Sequence, residues 1–241
     1  MLGKSLIIWI ACLTWLHFGA EAMDDDQFFA QSDAFFKTHV DEGLVKYGQI
    51  KSNTKLLQDL ISYVANAEIK SMSGQAQLAF YINAYNLWVI HHIIEYYPVD
   101  APMSIEGFFD KKKIKIAGEE MTLNDLENGK IRAFQDPRIH FVLVCAALGC
   151  PPLADFSYTP SQLNHQLEQQ TRLALNHRDF LKKTGDKVLL SEIFKWYRDD
   201  FGASDAELLH FINTYRNQPL PSQTRLDFYQ YDWTLNDASP L

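Results

Sequence analysis

The chain has 241 residues, a formal net charge of −8, 47% hydrophobic residues and three cysteines. That length suits one substantial core or two small ones. The negative balance argues against a general electrostatic role on nucleic acid or anionic lipid, and the short run Lys111-Lys112-Lys113 reads as a solvated turn.

Residues 1–22 read as an export signal, with Lys4 near the start, an apolar run from Leu6 to Phe18 and a small-x-small site at Ala20-Glu21-Ala22. Cleavage there starts the mature chain at Met23, and the alternative is an uncleaved membrane anchor. No later run approaches the length of a membrane span. Export places the chain in the periplasm or outside the cell, an oxidising setting in which thiols tend to pair. Cys145 and Cys150 are the two that remain. A disulfide closing so short a loop would contribute about 2 kcal/mol on the chain-entropy estimate; a free reactive thiol is the alternative.

Phe28, Phe29, Phe35 and Phe36 recur at near-helical spacing between Asp25 and Val40, predicting an amphipathic first helix. A short extended piece is expected over 45–50, then a helix over 54–68 with Leu56, Leu57, Leu60, Ile61 and Val64 as its apolar stripe. Residues 75–97 are apolar on nearly all sides and end at Pro98, which predicts the central buried helix. Asn83 and Asn86 interrupt its hydrophobic faces, and a buried amide without partners costs roughly 1 to 3 kcal/mol. They therefore read as ties to neighbouring loops, with a direct catalytic role as the sharper alternative.

Alternation over 113–122 predicts a hairpin turning at Gly118, and Thr122 predicts the cap of a helix through Leu123, Leu126 and Ile131. Asp136-Pro137 ends that helix. Residues 139–145 follow as a buried strand pattern, then a turn at Pro151-Pro152 and a polar amphipathic helix over 160–177. The last third predicts a strand over 187–190, helices over 191–201 and 204–216, and a closing strand over 226–236. The sum is an α+β class: a helix-rich single domain, 23–241, around a small and mostly antiparallel sheet, with the central helix packed on the 139–145 strand.

Reactive chemistry concentrates between Arg138 and Leu153, where one histidine and two thiols surround a short element. His140 is the first candidate base for Cys145 or Cys150. In a regular strand, however, residues five apart face opposite sides, and an extended chain from 140 to 145 spans about 16 Å. Asn83 or Asn86 would orient the imidazole or hold an oxyanion. Glu127, Arg132, Arg138 and Tyr85 are candidate binding residues: in a polar pocket Arg138 holds a carboxylate and Glu127 tunes a histidine. The bland alternative is a surface ion-pair network. C-x4-C lacks the second ligand pair of a structural zinc site, so no metal is expected, and the absence of phosphate- and dinucleotide-binding glycine loops leaves no cofactor expected either.

Five runs carry a resemblance. They are Ala79-Phe-Tyr-Ile-Asn-Ala-Tyr-Asn86, Leu123-Asn-Asp-Leu-Glu127 with Arg132, Asp136 through Leu153, Ile193-Phe-Lys-Trp-Tyr197 with Asp200-Phe201, and Tyr231-Asp-Trp-Thr-Leu-Asn236. At these residues the chain resembles the uncharacterised family designated domain of unknown function 547. The resemblance implies one domain over roughly residues 40 to 236, in a family often exported in bacteria, and supplies no catalytic assignment. Residue chemistry leads to two expectations: a thiol-type hydrolase or transferase acting on peptide or amide bonds, or a non-catalytic binding domain for a peptide, glycan or protein ligand in which Cys145-Cys150 is a structural disulfide.

Overall fold

A computed structural model of the protein describes residues 23–178, 180–185 and 187–238; the export signal expected over residues 1–22 lies outside them. The first helix, Asp25–His39, is opened by a capping box in which Asp24 accepts from the Gln27 backbone N–H and Gln27 accepts from that of Asp24. It buries the four expected phenylalanines. The extended piece ends earlier than expected, in a two-residue pairing of Val40 with Val45, and Tyr47–Ser52 is a short helix instead. Lys55–Asn66 follows and buries Leu57, Leu60, Ile61 and Val64.

The central helix, Gly74–Tyr96, is capped by Ser73 and stops just before Pro98. Its side chains are buried along almost the whole length, as an apolar surface on every side requires. The hairpin Ile114–Ile116 and Glu119–Met121 turns through Ala117 (φ 49°) and Gly118 (φ 83°), two left-handed residues in succession. Its turn amides also cap the end of the Lys55–Asn66 helix, because Ala117 and Gly118 donate to the carbonyls of Val64 and Ala65, each at 2.8 Å. Thr122 and Asp125 then form a second capping box. The helix it opens, Leu123–Leu126, widens into a π turn over Glu127–Ile131 and tightens to a 3-10 turn at Arg132–Phe134.

The helix-rich α+β class is as expected, but the central helix does not meet a strand at 139–145. Pro137–Phe141 is a 3-10 turn capped by Asp136, and an irregular segment follows it. The reason lies in the central helix. Asn86 donates to the Val142 carbonyl at 2.9 Å and accepts from the Val144 N–H at 3.1 Å, so one side-chain amide supplies the partners a neighbouring strand would have given. Asn83 does the same one turn earlier, clamping the Tyr158 N–H and C=O at 3.0 and 2.7 Å.

Beyond the helix Leu163–Asn176, a three-stranded sheet pairs Leu181–Thr184 antiparallel to Lys187–Ser191, which runs parallel to Arg225–Tyr229. The helix expected over 191–201 is two short helices, Ile193–Trp196 and Arg198–Phe201, broken at Tyr197. The expected closing strand ends at Tyr229. From there the chain runs back irregularly to bridge Leu235 with Ala147. At Gly149 an added Cβ would lie 2.9 Å from the backbone of Asp232, so that crossing needs a glycine.

Buried residues form two clusters, one around the central helix and one around Phe180, Phe194 and Leu208. The 137–150 segment lies along their seam: Ile139 and Val142 belong to the first cluster and Phe141 to the second. No helix among the described residues is long and apolar enough to cross a membrane. Asn86→Leu strands the Val142 carbonyl and the Val144 amide in this seam, and urea denaturation is expected to show a loss of about 2 to 4 kcal/mol.

Candidate functional site

Along that seam a cleft of about 440 Å³ opens. Its floor is set by Tyr85 of the central helix, Glu127 at the start of the π turn, and His140 at the end of the 3-10 turn. Cys145 and Cys150 form one side, Trp196, Tyr231 and Trp233 another, and the 103–110 loop a third. The volume lies in the range of sites for small organic ligands.

His140 is buried, and its Nε2 lies 2.7 Å from Asp200 Oδ2. Arg132 grips the same carboxylate with two bonds, Nε to Oδ2 at 2.8 Å and Nη2 to Oδ1 at 2.7 Å. Burial opposes the charge on Asp200, but Arg132 and His140 together hold its carboxyl below the ordinary value. An ionised Asp200 accepts a proton-bearing Nε2, so the neutral imidazole turns Nδ1 as an acceptor toward Glu127, whose Oε1 is 3.9 Å away. The imidazole lies flat on Tyr197, ring centroids 3.9 Å apart. Burial pushes His140 down to about 4 against the pull of Asp200.

Glu127 behaves in the opposite sense. Burial raises its carboxyl above the ordinary range, although Tyr197, Arg132 and the Tyr85 hydroxyl at 3.5 Å act against the rise. A carboxyl held up by burial and an imidazole held down by it thus lie side by side on the floor.

The sulfurs of Cys145 and Cys150 lie within disulfide-bonding distance, their Cα atoms 6.4 Å apart. The Tyr231 hydroxyl contacts both, at 2.8 and 3.0 Å. Because residues 139–145 are not a strand, face alternation does not separate His140 from the cysteines, and all three line the same cleft. The hydrogen bonds of His140 and of the sulfurs nevertheless go to different partners, Asp200 and Tyr231.

The remaining expected site residues stand behind the cleft or away from it. Asn83 and Asn86 direct their amides to the backbone of 158 and of 142–144. Arg132 acts on the cleft through Asp200. Arg138 holds a carboxylate, but it is that of its neighbour Asp136, together with the Asn164 side chain at 2.9 Å. Tyr85 and Glu127 line the cleft. No group of three His, Cys, Asp or Glu side chains among the described residues could hold a metal ion. Sequence reasoning did not assign Tyr197, Asp200 or Tyr231 to the site. The only signal for them was their place in the runs that carry the family resemblance.

Fold and cleft thus define a helix-rich α+β protein with an aromatic-walled pocket over a buried acid and imidazole. Over residues 69–173 the chain matches the family described as "Protein of unknown function, DUF547". No curated protein and no solved structure matches it.

As pH falls, a histidine with its folded value below its unfolded one takes up its proton first in the unfolded chain, so it withdraws stability between its ordinary 6.5 and about 4 and none above that window. Urea denaturation at pH 7 and pH 5 is expected to show a smaller loss of stability between the two for His140→Gln than for the parent.

Proposed function

We propose that this is an exported binding domain, periplasmic or secreted, whose cleft takes a small organic ligand or an exposed group of a peptide, glycan or protein. In this reading the Cys145-Cys150 pair is a closed disulfide that forms one wall. One observation supports it above the others: the two sulfurs lie within bonding distance, as a closed disulfide requires. The two central asparagines support it as well, since their amides hold backbone in place and do not line the cleft.

A second reading, thiol-type hydrolysis or transfer on peptide or amide bonds, has its own support. His140, backed by Asp200 and Arg132, lines the same cleft as both sulfurs, and a reduced Cys145 or Cys150 would be a nucleophile there. The two readings part on the oxidation state of the pair.

Alkylation of the purified exported protein without reductant, followed by mass analysis, is expected to leave Cys145 and Cys150 unlabelled until a reductant is added. Labelling of either before reduction would favour the thiol enzyme over the binding domain. Export makes a separate expectation: terminal sequencing after secretion in a bacterial host should read Met23-Asp24-Asp25, and a chain that retains residues 1–22 overturns the cleaved signal.

A further inference from the structure

The cleft's lining is one-sided in charge. Glu106, Asp110 and Glu127 contribute carboxyls, and among the described residues no lysine or arginine lines it. Glu106 is paired with Lys111 at 2.8 Å on the exposed rim, while Glu127 is buried at the floor. Arg132, the nearest guanidinium acting on the floor, has two of its nitrogens fixed on Asp200.

The wall opposite is aromatic. Trp196 and Trp233 stack with centroids 5.8 Å apart, and Tyr231 lies 4.8 Å from the first and 4.7 Å from the second. Phe109 of the 103–110 loop continues the surface, 6.3 Å from Trp233. Aromatic faces attract a cation through the ring quadrupole, and a desolvated carboxylate supplies the matching charge.

The polar groups present narrow the class of cation. The hydroxyls of Tyr85 and Tyr231 already contact Glu127 and the sulfurs, and His140 bonds Asp200. A quaternary ammonium needs only the field and the aromatic faces.

We propose that the cleft binds the ammonium head of an organic cation, a quaternary or alkylated amine, with the packed surface of Trp196, Trp233 and Tyr231 against the head and the Glu127 carboxylate as its counter-charge. The proposal rests on the binding-domain reading above and names the ligand class for the same cleft.

Calorimetric titration of the purified chain with choline, and separately with its neutral carbon isostere 3,3-dimethylbutanol, tests both levels. Choline is expected to bind at least about tenfold more tightly, and Glu127→Gln to reduce that preference toward equality while leaving the isostere's affinity unchanged. Equal affinities, or a tighter isostere, overturn the ammonium assignment and leave a ligand cleft in place. No heat from either probe overturns the cleft reading together with it. If Glu127→Gln fails to fold, Trp196→Leu, at a half-exposed rim position, is expected to weaken choline more than the isostere; an equal effect on both overturns the proposal.

Discussion

The amide of Asn86 is the fixed point of the structure. A single side chain on the central helix satisfies the carbonyl of Val142 and the amide of Val144, and so holds an irregular strip of backbone at the depth where a β-strand would otherwise be needed. Irregular backbone is expensive to bury because its polar groups lack the regular partners of helix or sheet. With those partners supplied from the side, the strip is free to turn as a strand cannot. His140, at its start, and Cys145 and Cys150, at its end, consequently line one cavity.

Around that strip the charges are arranged in series. Arg132 fixes Asp200, Asp200 fixes the imidazole of His140, and the imidazole's other nitrogen points toward Glu127. Each group reaches the cleft through the next, so the guanidinium at the back affects the floor without lining it. The π turn at Glu127–Ile131 belongs to the same arrangement: a helix that widens by one residue at its second turn carries Glu127 and Arg132 within one short stretch, the first toward the cleft and the second toward Asp200.

Much of the scaffold was legible in the sequence because its signals are local. The phenylalanine spacing of the first helix, the halt before Pro98, the turn at Gly118 and the cap at Thr122 each depend on a few neighbouring residues, and the structure places them as read. Residues 139–145 misled because a short apolar run looks the same whether it is paired in a sheet or clamped by a helix-borne amide. The break at Tyr197 has no local marker, and it is what divides the expected helix over 191–201 in two. Asp200 and Tyr231 could not be placed from spacing, since their contacts cross 60 residues to His140 and 81 to Cys150. Periodicity identifies which residues are buried within an element; it carries no information on which distant elements meet.

The path of the chain after Tyr229 separates two kinds of variation. Tyr85, Glu127, His140 and both cysteines lie within residues 69–173, whereas Trp196, Tyr197, Asp200, Tyr231 and Trp233 come from beyond it. The acid and the imidazole are rooted in the stretch that matches the family; of the two stacked indoles, Trp196 ends the Ile193–Trp196 helix and Trp233 hangs on a returning tail fastened by a glycine crossing. The aromatic side of the cleft and its titratable floor therefore sit on different parts of the polypeptide, so exchanging Trp233 alters the lining while Glu127 and His140 keep their places.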